Sequence, residues 1–319
     1  MFVSVPVQQP PKPIVVTIWV HGTKPGALSP KVFRPLVDSI GRFLFLKEGL
    51  HKASLLDEKY YLQMLARKLC SNNQDLFDFC HMYFFGWSGK LSRAGRKRAS
   101  EKLFLELVCI SQVYQRVFNC KPLFNIVTHS HGGNVALHLA EVAPEGQTDV
   151  RIEKLILLGC PIQKHTSQLI HSSLFVRIYN IYSHTDTIQI IDPQGLHGLF
   201  AQRSDRSLKT MLKELFKPLL SERHFTPSEK VAQIAVAWKN GIVWMDDYQG
   251  VDLMYLRGIK RVLKSIDLLK SNRGLIHIEF NLLPFVSKLA EIILSVDQGT
   301  LVGSASQAKE QSADYSVFL

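Results

Sequence analysis

The sequence predicts an α/β fold, with a mostly parallel central sheet, helices on both faces, and a helical and hairpin excursion inserted before the last helix. Three observations carry this. Short β-branched runs of strand length alternate with longer stretches of helical periodicity from residue 14 to residue 296, the order that parallel strands joined by crossover helices require. One serine, Ser130, stands where such a strand meets such a helix. The 319 residues, 46% hydrophobic and 20% charged, match the globular average and are enough to bury that core as one domain.

Residues 14–20 (IVVTIWV) form the first core strand, ending abruptly at the loop His21, Gly22, Thr23. Between 30 and 72 the apolar positions recur at helical spacing, interrupted by Gly41 and Gly49, and predict a helical or irregular excursion. Residues 78–85 read as a second strand and 96–119 as a long amphipathic helix, with Leu103, Leu107 and Val113 among its apolar positions. Strand 123–128, helix 134–142, strand 154–158 and strand 176–183 follow. Beyond Asp186 the pattern loosens: 207–220 is a basic amphipathic helix, and 235–244 reads as a hairpin around Asn240 and Gly241. A last helix spans 282–296. The predicted organisation is an extended segment 1–13, a domain 14–298 with a candidate lid or insertion at about 200–260, and a polar, mobile tail 299–319.

Bulk properties exclude several classes. No window approaches the roughly 18 consecutive apolar residues of a membrane-spanning helix, and the first 13 residues lack the charged, apolar and small-residue regions of a secretory signal. Cys70, Cys80, Cys109, Cys120 and Cys160 are odd in number, show no paired spacing, and mostly have apolar neighbours. They predict reduced, buried thiols and, with the missing signal, a cytoplasmic location. The net charge of +11 and isoelectric point near 9.4 invite an anionic partner. The densest basic run, 90–98, lacks the aromatic interleaving of a single-strand nucleic-acid surface and is expected to be a solvated helix start. Nucleic acid is disfavoured as a partner.

The chemistry centres on Thr128, His129, Ser130, His131, Gly132 and Gly133. A serine at a sharp turn from strand to helix is held out at the carboxyl end of the sheet, where substrate can reach it. Gly132 and Gly133 allow close helix packing, and the His131 amide lies at a helix N-terminus where an oxyanion would form. This segment resembles the α/β-hydrolase superfamily, in particular its lipase- and esterase-like members with a His-Ser-x-Gly-Gly nucleophile elbow. The departure is Thr128, where the usual Gly-x-Ser-x-Gly elbow has its first glycine. The resemblance extends to His21 and Gly22 after the first strand and to the Leu158, Gly159, Cys160, Pro161 sequel, and implies oxyanion donors at the backbones of Thr23 and His131. It implies an α/β-hydrolase fold and an acyl-enzyme mechanism without a cofactor.

In that fold the chain order is serine, then acid, then histidine. Asp186, which follows strand 176–183 and lies 56 residues after Ser130 (186 − 130), fills the acid's place; the plain alternative is a loop aspartate in a turn. For the base, His277 precedes the last helix, as the catalytic histidine does in the superfamily, with His224 as the alternative. His129, His131 and His21 lack carboxylate or cysteine companions at metal-ligand spacing, so no metal is expected. The expected function is hydrolysis of an acyl ester, small or lipid-like, through Ser130, His277 and Asp186. The same triad would serve a thioesterase or acyltransferase, and the fold alone a non-catalytic interaction protein. Helix 207–220 would be a lid, a peripheral contact to an anionic membrane, or simply a core-packed helix.

Overall fold

The computed structural model describes residues 13–23, 45–144, 150–184, 186, 189, 221–237, 277, 280–281, 283–300 and 313–318. Its centre is an eight-stranded sheet: β1 (Val15–Val20), β2 (Gly49–Lys52), β3 (Met82–Gly86), β4 (Leu123–His129), β5 (Ile152–Leu158), β6 (Phe175–Tyr182), β7 (Val231–Ala237) and β8 (Ala313–Phe318). The strand order is β2-β3-β1-β4-β5-β6-β7-β8. Every neighbouring pair is parallel except β2 with β3, so the sheet is mostly parallel, as the alternating pattern predicts.

The period of two decides which side chain faces which layer. In β1, Val16, Ile18 and Val20 enter one core and Trp19 the other; in β5, Leu155 and Leu157 oppose Ile156 and Leu158. The first core is covered by α2 (Arg93–Phe118), α3 (Gly132–Leu137) and α4 (Leu139–Val142), and the second by α1 (Tyr61–Ser71) and α5 (Leu283–Asp297). Both faces of the central strands are therefore dry, the condition under which parallel strands become continuously apolar. No helix among the described residues is long and apolar enough to cross a membrane.

Several expectations change. The four residues of β2 carry no period-two signal, and the segment read as helical or irregular holds this edge strand as well as α1. The tail expected to be mobile ends in β8, registered against β7 from Ala232↔Ala313 to Ala237↔Phe318. Its β-forming Tyr315, Val317 and Phe318 are too few to stand out after a dozen polar and small residues. Within 200–260, residues 221–237 include β7, whose Ala232, Ile234 and Val236 are core. Helix 207–220 and the turn at Asn240 and Gly241 lie outside the described residues, as does segment 1–12.

The basic run does open a helix, capped by Ser92 Oγ accepting from the Gly95 amide at 3.1 Å. Arg96, however, is fully buried rather than solvated. It shares the inward face of α2 with Ala99, Ser100 and Leu103, and its guanidinium donates to the Leu91 carbonyl at 2.8 Å and to Gln163 Oε1 at 2.7 Å. The cysteines also divide: all five are free thiols, but only Cys70 and Cys160 are buried, while Cys80 and Cys109 are exposed. Cys109 lies on the outer face of α2, four residues from exposed Leu105 and four from exposed Val113.

Candidate active site

The site lies at the carboxyl ends of β1, β4, β5 and β6, the edge where ligands bind in open parallel sheets. Strand β4 ends at His129, and Ser130 takes a left-handed backbone conformation, φ +52°, before α3 begins. Left-handed backbone costs an L-residue about 1–2 kcal/mol, so its neighbours must hold it there. They do: the Ser130 amide donates to the Leu158 carbonyl at 2.9 Å, and the Ser130 carbonyl accepts from the Gly133 amide at 2.9 Å. The first turn of α3 passes directly over the end of β1. A Cβ on Gly132 would sit 2.5 Å from the Val20 carbonyl oxygen and 2.6 Å from that of His21. This close approach accounts for the glycine after His131. Thr128 needs no comparable space, because it is still a strand residue, paired with Val20 and Leu157, and its hydroxyl donates to the Ile156 carbonyl at 3.2 Å.

Asp186 is fully buried just beyond β6. Its amide donates to the Ser183 carbonyl at 3.2 Å, and its Oδ1 accepts from the Gln189 amide at 3.0 Å. The Arg223 guanidinium donates to its carbonyl at 2.6 Å. The remaining oxygen, Oδ2, accepts from His277 Nδ1 at 2.7 Å. The structure thus brings together an acid and a histidine 91 residues apart in sequence. The other candidate base, His224, instead sets its ring edge-on to Tyr182, with centroids 4.4 Å apart. Ser130 and His277 are both buried, each with a sliver of exposed surface.

His21 organises the loop after β1. Its Nδ1 donates to the Gly22 carbonyl at 2.7 Å, and its Nε2 accepts from the Trp87 amide at 3.1 Å, a pairing that fixes the neutral tautomer. The Trp87 indole returns a bond to the His21 carbonyl at 2.7 Å. Thr23 follows directly, and His131 begins the turn into α3 from the other side. Behind the elbow, Thr166 Oγ1 donates to Asn134 Oδ1 at 2.8 Å while Asn134 Nδ2 donates to the Pro161 carbonyl at 2.9 Å. This buried network ties α3 to the loop after β5. Among the described residues no group of histidine, cysteine or acidic side chains is arranged to hold a metal.

Burial leaves its mark on the histidines. It drives His129 and His131 well below the ordinary imidazole value, aided at His131 by the Arg96 guanidinium. It also lowers His138, against the opposing pull of Glu141, and brings His165 down to about 4. The sign follows from linkage. These groups are neutral in the folded chain, whereas the unfolded chain protonates near pH 6.5, so their contribution to stability is intact above that value. It is lost as pH falls from there through the folded values. The denaturation midpoint is therefore expected to decline from about pH 6.5 towards pH 4, and a denaturant titration at half-unit intervals checks it. A flat profile over that range would contradict the assignment of neutral buried histidines.

The strand order, the antiparallel β2 edge and a left-handed serine between β4 and α3 make this an α/β-hydrolase fold. No family model matches the sequence, and no curated protein does. Among solved structures, a monoclinic form of Pyrobaculum calidifontis esterase aligns over 92% of this chain and 80% of its own, at 12% identity and a TM-score of 0.36. A structure titled as the hyperthermophilic esterase from that archaeon aligns over 92% and 78%, at 10% identity and a TM-score of 0.36. At that identity and superposition, the likeness says nothing about this chain's substrate.

Proposed function

We propose that the chain is a serine hydrolase that cleaves carboxylic esters through a covalent acyl-enzyme on Ser130. The observation that carries this reading is the convergence, at one sheet edge, of a left-handed serine at a strand-to-helix turn with a histidine anchored at Nδ1 by a buried aspartate. In the reading, His277 Nε2 takes the Ser130 proton as Oγ attacks the ester carbonyl carbon, and the Thr23 and His131 amides hold the resulting oxyanion. Collapse breaks the bond to the alkoxy oxygen, and the imidazolium returns its proton to the departing alcohol. Water then attacks the acyl group, giving its proton to His277, and the carboxylic acid leaves as Ser130 is restored. Asp186 holds the tautomer that leaves Nε2 basic and faces the positive charge that forms on the ring.

Short- and long-chain acyl esters are the substrates to assay. The test of the reading is a fluorophosphonate probe followed by peptide mass mapping. A single adduct on Ser130, formed in step with loss of ester turnover, is the expected result. An adduct on another residue, or turnover that survives full labelling of Ser130, would overturn the reading.

A further inference from the structure

The residue immediately before the serine has a task of its own. His129 ends β4, and its Nε2 donates to the carbonyl oxygen of His277 at 2.8 Å, across 148 residues of sequence. The two rings lie with centroids 4.8 Å apart and planes tilted by 48°. On its other side, His129 is pressed by the loop after β1: a Cβ on Gly22 would fall 3.0 Å from the His129 carbonyl oxygen, 3.1 Å from its Nδ1, and 2.8 Å from Ser130 Cβ. One buried imidazole is therefore adjacent to three parts: the serine turn by covalent bond, the loop carrying Thr23 by packing, and the main chain of His277 by hydrogen bond.

We infer that His129 is the positioning residue for the base: Asp186 fixes the His277 ring, and His129 fixes the His277 backbone. This rests on the ester-hydrolase reading above. The two restraints are complementary. A ring held only through Nδ1 can still pivot about that bond and carry its Nε2 away from Ser130. A second tether on the same residue's carbonyl removes that freedom, and it comes from the residue next to the nucleophile, so base and nucleophile move together. Such registration matters because displacement of a reacting group by about 1 Å can cost on the order of 10²-fold in rate. The bond requires a proton on Nε2, which the imidazolium and the Nε2-protonated neutral form both carry. Burial and the neighbouring His277 ring favour that neutral form.

The test compares His129→Leu, which keeps an apolar filler without the donor, with His129→Gln, whose side-chain amide can donate from a position like that of Nε2. His129→Leu is expected to lower kcat roughly 10²-fold with KM unchanged, to slow fluorophosphonate labelling of Ser130 in parallel, and to leave the Asp186 pairing intact. His129→Gln is expected to recover most of that loss. Wild-type kcat in the leucine variant, or equal losses in both variants, would overturn the inference. The unmodified protein provides an independent readout. Its imidazole ¹⁵N signals should show His129 as the Nε2-protonated neutral tautomer through neutral pH, and the opposite tautomer would overturn the inference whatever the variants do. A wild-type chain that the probe does not label at Ser130 would overturn the hydrolase reading and this inference together; normal labelling with an indifferent His129→Leu would overturn this inference alone.

Discussion

Ser130→Ala is expected to lower kcat for ester hydrolysis by about 10⁶-fold, the scale seen when a triad nucleophile is removed. The loss is this large because no described neighbour can take over. His131 is pushed to the neutral side but belongs to the turn that supplies the amide, and Cys160, though beside the elbow, has a thiol that burial pushes up to about 12. A thiol that stays protonated is a poor nucleophile. Residual catalysis of about 10³–10⁴ over water would remain from the oxyanion amides and substrate binding. The fold should be almost indifferent to the change, since alanine at φ +52° carries the same left-handed strain as serine. Ser130→Gly offers the internal control. It removes the same hydroxyl but accepts the positive φ, and should gain about 1 kcal/mol of stability while being equally inactive. Turnover of short- and long-chain acyl esters and thermal midpoints for the three proteins check both halves. An alanine variant within tenfold of wild type would show that the serine is an elbow without chemistry.

The parts of this molecule that sequence makes legible are those whose signal is local. Strands β1, β4, β5 and β6 are runs of apolar and β-branched residues because both of their faces are buried, and little besides a fully covered strand produces a run of that length and kind. The elbow is legible because a serine followed by glycines at a strand end combines a sharp turn with a close approach, and each residue type answers to one of them. Asp186 and His277 are legible only through chain order, by counting strands from Ser130, because nothing in their immediate neighbours distinguishes a paired acid from a turn aspartate. Other features depend on contacts distant in sequence. Arg96 sits in a basic run that looks like a solvated surface, and its burial depends on Gln163, 67 residues away. Strand β8 is six residues in a polar tail, and exists as a strand only because β7 offers it an open edge. The bond from His129 to the His277 backbone leaves no trace in either local sequence. What hints at it is a polar, ionisable residue at the end of a largely apolar strand, which must find a partner to be buried there.

Asp186→Asn is the sharpest probe of how the acid acts, with kcat expected to fall about 10⁴-fold while KM and the fold stay as they are. The geometry shows why so conservative a change is so damaging. The new side chain could keep its amide oxygen as acceptor from the Gln189 amide, and the bonds through the residue's own backbone to Ser183 and Arg223 do not involve the side chain. With that oxygen retained, the NH₂ group replaces Oδ2, the atom now accepting from His277 Nδ1 at 2.7 Å. Two donors cannot share a bond, so the imidazole must move its proton to Nε2 and present Nδ1 as acceptor. A ring protonated at Nε2 cannot take the Ser130 proton, and the neutral amide gives no charge to offset the imidazolium that acylation creates. The fault lies in tautomer and charge rather than position, so it has distinct signatures: the downfield proton resonance of Nδ1 should vanish, and the thermal midpoint should change little. Asp186→Ala should behave differently. It leaves Nδ1 without a partner, the Gln189 amide without its acceptor and a void beside the buried loop, and so should lose stability along with rate. Equal effects on rate and stability in both variants would mean that Asp186 serves the loop and not the base.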